Sequence, residues 1–394
     1  MTNWRELAAE YFMNTVERVP VTLVKGEGCY VWDDKGKKYL DFVAGWAVNS
    51  LGHSHPILVR AIARQARTLI QVSNQFYSVP QIRLAELLVK NSCLQKVFLC
   101  NSGAEANEGA IKLARRYGAR HLNGAYEVIS VTGSFHGRTL AMVAASGQAK
   151  YQQPYLPLPT GFINVDFNDF SAIKSATGEK TCAVMLEPVQ GEAGVKIPDK
   201  AYLKAVRDWC TEKGILMILD EVQTGIGRLG TLFGYEQFGI EPDVMTLAKG
   251  LGGGVPIGAI MATEKAAVFV PGEHGSTFGG NPLTCAAAYA TLKYILDNDV
   301  VGHVKTVGKH LLDGLGKLKR KYAFVTDVRG LGLLSAIEFK EEIGKAVLMA
   351  CLENGLLVNR VRPNALRFMP SLIVTREEID EALGILDRVL ANFA

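Results

Sequence analysis

Two stretches decide the fold: Ile215-Leu-Met-Ile-Leu-Asp-Glu-Val-Gln-Thr224, and Pro242-Asp-Val-Met-Thr-Leu-Ala-Lys-Gly-Leu-Gly-Gly-Gly254. Each is a short apolar run closed by a charge, Asp220 in the first and Lys249 in the second. Apolar runs of this length, bounded by turn residues, read as strands buried on both faces of a parallel sheet. In open α/β sheets the ligand lies at the carboxyl ends of the strands. Both charges are therefore expected at one crevice, delivered by two different strands.

An acid and an amine placed this way have two readings. One is a buried ion pair, which is costly to bury and poor evidence of a stabilising role. The other is a pyridoxal phosphate site, where a lysine amine condenses with the cofactor aldehyde and a carboxylate keeps the pyridine nitrogen protonated.

Working outward on the amino-terminal side, Lys96–Cys100 reads as a strand that runs into Asn101-Ser-Gly-Ala-Glu-Ala-Asn-Glu108. Ser102 and Glu105 have capping-box spacing, which starts a helix. Free N–H groups at such a terminus attract anions, and Gly103, lacking a Cβ, lets a phosphate approach the backbone. A helix that is merely well capped is the plainer reading. The strand Glu127–Val131 leads to Thr132-Gly-Ser-Phe-His-Gly-Arg-Thr139. There Phe135 is suited to stack on a flat ring and Arg138 to clamp a carboxylate; core packing and a surface loop are the plain alternatives. Thr181–Leu186 is a strand ending in Glu187-Pro-Val-Gln-Gly-Glu192, with two carboxylates for acid–base work or for pairing with cations. Strands alternating with helices predict a mostly parallel sheet wrapped by helices.

Two motifs mislead. Gly225-Ile-Gly-Arg-Leu-Gly230 matches the dinucleotide fingerprint after a strand, but no helical period follows it, as that fingerprint requires. Gly250–Gly254 is no phosphate-binding P-loop, because the lysine precedes the glycines.

The flanks complete the layout. Val21–Val24, Tyr30–Asp33 and Lys38–Phe42 read as a small meander joined by glycine turns. His53 and His55 lack further ligands in the sequence, so no metal site is expected. Helices are expected over Pro56–Leu69, Pro80–Lys90, Leu283–Leu296 and about Val301–Tyr322. Strands at Val325–Arg329, Leu333–Phe339, Leu356–Val361 and Ala365–Met369 then mark a small α+β unit, with Arg367 between apolar Leu366 and Phe368. Its last helix opens on the capping box Thr375-x-x-Glu378.

Across the 394 residues, 48% are hydrophobic and 21% charged, ordinary values for a globular protein. The net charge of +4 argues against nucleic acid as a partner, and Lys317–Lys321 reads as a cationic last helical turn. The seven cysteines form no Cys-x-x-Cys pair and read as reduced thiols of a cytoplasmic protein. The polar, acid-bearing start resembles neither a secretory signal nor a transit peptide, and no apolar run suits a bilayer.

Together these motifs resemble the class III, ornithine-type aminotransferases. The carriers are Asn101–Glu108, Ser134–Thr139, Glu187–Glu192, Asp220–Gly225, Thr246–Gly252 and Gly275-Ser-Thr-Phe-Gly-Gly-Asn281, in order along nearly the whole chain. The resemblance implies the fold type I architecture of pyridoxal phosphate transferases: a large domain over residues 53–283 and a small one from 284–394 joined by the segment 1–52. It implies that Lys249 holds pyridoxal 5'-phosphate covalently and shuttles the proton, while Asp220 pairs with the ring nitrogen. Phe135 and Val222 cover the two ring faces, Gln223 bonds the ring hydroxyl, and Ser102, Gly103 and Ala104 cup the phosphate. Thr277 reaches the phosphate of the neighbouring subunit in a homodimer with shared sites, and Ser276 lies by the substrate. Arg138 takes the substrate α-carboxylate. Glu192 pairs with Arg367 in one half-reaction and frees it for a second carboxylate in the other. Trp46 departs from the family pattern, which has a smaller aliphatic residue or a tyrosine there; at a pocket entrance it would narrow substrate choice. An aminomutase sharing the lysine and aspartate, or a non-catalytic scaffold, are the other classes open to this fold.

Overall fold

The computed structural model describes residues 3–394. The amino-terminal meander forms as β1 (Leu23–Glu27), β2 (Tyr30–Asp33) and β3 (Lys38–Asp41), antiparallel in sequence order.

The central sheet contains β4 (Lys96–Cys100), β5 (Glu127–Val131), β6 (Phe162–Val165), β7 (Thr181–Leu186), β8 (Leu216–Asp220), β9 (Val244–Leu247) and β10 (Gly258–Ala262). Its seven strands lie in the order β4-β10-β9-β8-β7-β5-β6. All pairings from β9 to β6 are parallel; β10 runs antiparallel to both its neighbours. β8 and β9 are thus adjacent central strands, and their carboxyl ends open side by side.

Alternation along these strands splits the core into two layers. Leu216 and Ile218 of β8, with Val244 of β9, pack on Ala106, Ala110 and Ala114 of the helix Gly103–His121. Met217, Leu219 and Met245 face the opposite layer, with Leu203 and Val206 of the helix Lys200–Lys213. By the period of two, Asp220 and Thr246 share the face of the Gly103–His121 helix.

The carboxyl-terminal region carries β11 (Val325–Leu331), β12 (Leu334–Phe339), β13 (Leu356–Leu357), β14 (Asn359–Arg362) and β15 (Ala365–Phe368). The single strand expected over Leu356–Val361 is two. β13 pairs parallel with β3 of the meander, whereas β14 joins the antiparallel sheet β11-β12-β15-β14. The pairing with β3 ties the first fifty residues to the carboxyl-terminal unit. The helix Pro282–Asp297 packs instead on Pro56–Ala66 and Val79–Lys90.

Ala44, Gly45, Trp46 and Ala47 all have positive φ, a left-handed turn that the sequence did not announce. All seven cysteines are free. No helix among the described residues is long and apolar enough to cross a membrane.

Candidate active site

A cavity of about 410 Å³ lies at the carboxyl ends of β7, β8 and β9, a size usual for small-molecule sites. Asp220 and Lys249 both line it, as do Ser102, Gly103, Ala104, Phe135, Arg138, Glu187, Glu192, Val222 and Gln223. The two charges converge, yet they form no ion pair, so the plain reading of a buried salt bridge does not describe them.

Lys249 follows β9 in a strained backbone with φ of 39°, a conformation that persists only where the surroundings enforce it. Among the described residues its Nζ has neither a hydrogen-bond nor an ion-pair partner. Burial holds its pKa below the ordinary lysine value; the Glu192, Asp220 and Glu187 carboxylates only partly offset this, and Arg367 adds to it. A lysine so placed presents more of the neutral, nucleophilic amine.

Asp220 is held by groups that the sequence reading did not single out. Asn107 Nδ2 donates to its Oδ2 at 2.7 Å, and His136 Nδ1 lies 2.7 Å from the same oxygen. Asn107 also donates to the His136 carbonyl and accepts from Thr246 Oγ1 at 2.6 Å. The Val222 N–H donates to Oδ1 at 3.0 Å. The signal for Asn107 was present: a polar side chain on the apolar stripe formed by Ala106, Ala110 and Ala114, opposite an acid of matching strand parity. His136 had a weaker one, as the residue beside Phe135 in a strand-end loop.

The helix start is built differently from its expectation. Ser102 Oγ accepts from the Glu105 N–H at 3.2 Å, but Glu105 Oε2 takes the Asn101 N–H at 2.9 Å rather than that of Ser102. The reciprocal box does form at Thr375 and Glu378. Among the described residues the N–H groups of Gly103 and Ala104 have no acceptor, and both residues line the cavity. A Cβ on Gly103 would stand 2.7 Å from Val222 Cγ1. The missing side chain at position 103 therefore lets the helix terminus press against Val222, beyond any approach by an anion.

Behind Glu192 and Gln223, which line the cavity, Arg367 of β15 is 1% exposed and does not itself reach the cavity lining. Its Nη1 pairs with Glu192 Oε1 at 2.7 Å and donates to Gln223 Oε1 at 3.1 Å; Nη2 donates to Asn359 Oδ1 at 2.8 Å. Burial pushes Glu192 up, but the Arg367 guanidinium and then Lys249 outweigh it and hold the carboxyl below its ordinary range. Glu187, in contrast, has an Oε2 with no partner, and burial followed by the Asp220 and Glu192 charges raises it well above the ordinary carboxyl value.

Besides Arg367, three expected residues lie outside this cavity: Ser276, Thr277 and Trp46. Ser276 Oγ accepts from Asn101 Nδ2 at 3.1 Å and from the Gly279 N–H at 3.0 Å. Thr277 is exposed, and its carbonyl accepts from Gln71 Nε2 at 2.6 Å. Trp46 is 52% exposed in the left-handed turn, and Val48, two residues on, is the side chain that lines the cavity. His53 is bonded to Asp41 at 2.8 Å, and His55 packs edge-on against Tyr294. The Gly225–Gly230 fingerprint is an irregular loop that opens no helix.

The residues present fit pyridoxal phosphate: an unpartnered lysine amine, a carboxylate fixed on the opposite side, and free N–H groups at a helix terminus share one cavity. Fold and site together define an α/β transferase of the pyridoxal phosphate class. The family model for aminotransferase class III matches residues 11–390. The acetylornithine aminotransferase of Caldanaerobacter subterraneus is 54% identical over 97% of this chain and 98% of its own length. That of Methanocaldococcus jannaschii is 50% identical over 99% and 98%. Among solved structures, the ornithine aminotransferase of Toxoplasma gondii superposes with a TM-score of 0.94 at 32% identity, covering 99% of this chain and 94% of that one. The acetylornithine aminotransferase of Elizabethkingia anophelis gives 0.88 at 34%, covering 99% and 98%. The chain belongs to the class III aminotransferases and is a pyridoxal phosphate-dependent aminotransferase.

Proposed function

We propose that the enzyme moves the δ-amino group of N2-acetyl-L-ornithine to 2-oxoglutarate, giving N-acetyl-L-glutamate 5-semialdehyde and L-glutamate, as a cytoplasmic homodimer in arginine biosynthesis. The observation that carries the substrate is the run of acetylornithine aminotransferases matching 46–54% of residues over nearly the full chain.

When bound, pyridoxal phosphate supplies an electron sink for negative charge at the carbon that bears the transferred amine. Asp220, pinned by Asn107 and His136, keeps the ring nitrogen protonated. Phe135 and Val222, which line the cavity, would flank the ring, and Gln223 would bond its hydroxyl. Ser102 and the N–H groups of Gly103 and Ala104 take the phosphate, joined by Thr277 of the neighbouring subunit. Lys249 would hold the cofactor, and its Nζ would carry the proton at the reacting carbon. Arg138 holds the α-carboxylate at the mouth, near Ser276. In the acetylornithine half-reaction Arg367 stays closed on Glu192. In the second half-reaction Glu192 turns away and Arg367 accepts the distal carboxylate of 2-oxoglutarate. The division at residues 52 and 283 assigns Arg367 to the smaller domain and Lys249 to the larger one.

The test is an absorbance spectrum before and after N-acetylornithine is added without a keto acid. The expected result is loss of the lysine-bound cofactor band and appearance of the pyridoxamine form. Conversion by ornithine or a succinylated diamine, but not by acetylornithine, would move the substrate; a chemical change without pyridoxamine would indicate an aminomutase. Lys249→Ala should lower turnover by more than about 10⁴-fold, because anchor and proton carrier are lost together. Turnover near wild type would overturn the assignment.

A further inference from the structure

Arg138 lies at the cavity mouth, exposed, and among the described residues it makes no hydrogen bond and no ion pair. Its neighbours are two rings. The guanidinium carbon stands 4.0 Å from the centroid of Tyr151 and 5.2 Å from that of Phe135. The two rings meet edge to face at 5.9 Å and 75°. Tyr151 does not line the cavity; it belongs to the one-turn helix Ala149–Gln152. That turn is tied to the loop carrying Phe135 and Arg138: Gln148 Nε2 donates to the carbonyls of Ser134 at 2.9 Å and Gly133 at 3.3 Å.

The choice of partner has a chemical consequence. A carboxylate beside Arg138 would fix the guanidinium but occupy the N–H groups that a substrate needs. An aromatic face fixes the guanidinium plane and consumes none of them, leaving the forked edge free for a bidentate carboxylate. Lys150 Nζ stands 4.6 Å from the same Tyr151 ring.

We propose that Tyr151 is a positioning residue for Arg138 and thereby sets the preference for amino donors that carry an α-carboxylate. The inference rests on the reading of Arg138 as the carboxylate clamp, so the test separates the two. Tyr151→Leu, Tyr151→Phe and Arg138→Gln are compared in the holoenzyme with acetylornithine and with a diamine lacking the carboxylate, alongside the Kd for pyridoxal phosphate. Tyr151→Leu should raise KM for acetylornithine about ten-fold, with kcat, cofactor Kd and KM for the diamine little changed. Tyr151→Phe, which keeps the ring, should restore the wild-type KM. The KM ratio of the two substrates does not depend on the fraction of protein that is folded. If Arg138→Gln raises KM for acetylornithine and Tyr151→Leu does not, the clamp stands and the positioning role falls. If Tyr151→Leu raises both KM values equally, the residue is only structural and the proposal fails. If Arg138→Gln leaves KM for acetylornithine unchanged, the clamp itself is wrong.

Discussion

Glu187 is 8% exposed, lines the cavity, and has no cation in ion-pair reach. Burial and then the charges of Asp220 and Glu192 hold its carboxyl well above the ordinary value, and Lys249 and the Phe135 N–H offset them only in part. The native state therefore holds a proton that the unfolded chain releases at the ordinary carboxyl value, about 4.3. The unfolded state binds fewer protons than the native one above that point, so this residue removes stability as pH rises, until its raised native value is reached. Glu187→Gln keeps the shape of the neutral acid and has nothing to release. In thermal melts of cofactor-free protein, the Tm of Glu187→Gln relative to wild type should climb between pH 5 and pH 8; a constant difference would mean that the native carboxyl is ionised. Lys249, Asp220, Glu192 and Arg367 were legible because each is a charge set in an apolar or strand-end context. Asn107 and His136 escaped because their significance lies in reaching Asp220 across a helix–sheet interface, a relation that spacing along the chain does not express.

Helix Val300–Lys321 illustrates what an element hides. Its apolar period made it legible, and by propensity alone each of its four glycines is a penalty on helix formation. Gly308, however, sits where a Cβ would lie 2.4 Å from the Gly332 carbonyl oxygen in the β11–β12 turn. That turn is itself held by buried Arg228, whose Nη1 donates to the carbonyls of Leu333 at 3.0 Å and Pro370 at 2.6 Å. Burial depresses the Arg228 pKa to about 9. Gly316 on the same helix is different: the nearest atom to a Cβ there is Arg320 Nη1, at 3.7 Å, the end of a flexible side chain. Two Gly→Ala changes in one helix should thus have opposite signs. Gly316→Ala should stabilise by up to about 1 kcal/mol, the helix-propensity gain. Gly308→Ala should destabilise by about 1–3 kcal/mol, because overpacking against backbone outweighs that gain. Denaturant midpoints of the two variants check this, and stabilisation at both would refute the close approach. Elements whose geometry comes from neighbours were the ones misread. Leu356–Val361 changes sheets midway, and in the left-handed turn Ala44–Ala47 only Gly45, lacking a Cβ, adopts positive φ without strain.

At the scale of the molecule, the mostly parallel sheet and the meander were legible because apolar runs and glycine turns recur throughout. Assembly had no such signal and entered only through family resemblance. The chain leaves Phe76 62%, Tyr77 95%, Val79 61%, Ile82 52% and Phe278 63% exposed. Their segments are linked, since Asn74 Nδ2 donates to the carbonyls of Ser276 at 2.9 Å and Gly279 at 3.0 Å. We read this exposed cluster as the face of the proposed homodimer; Thr277, which does not line the cavity, adjoins Phe278 of the cluster. If Thr277 serves the partner's site, two inactive chains should rescue each other. In a hybrid of Lys249→Ala and Thr277→Ala subunits, the site retaining Lys249 receives its threonine from the Lys249→Ala chain and is fully wild type; the other site carries both lesions. Each homodimer should bind cofactor weakly or fail to turn over, whereas co-expressed, differently tagged chains purified as the hybrid should recover about half the wild-type activity, one of two sites being intact. Without rescue, Thr277 would act within its own chain or not at all. A hybrid that never forms, with each variant sedimenting as a monomer, would remove the shared site altogether.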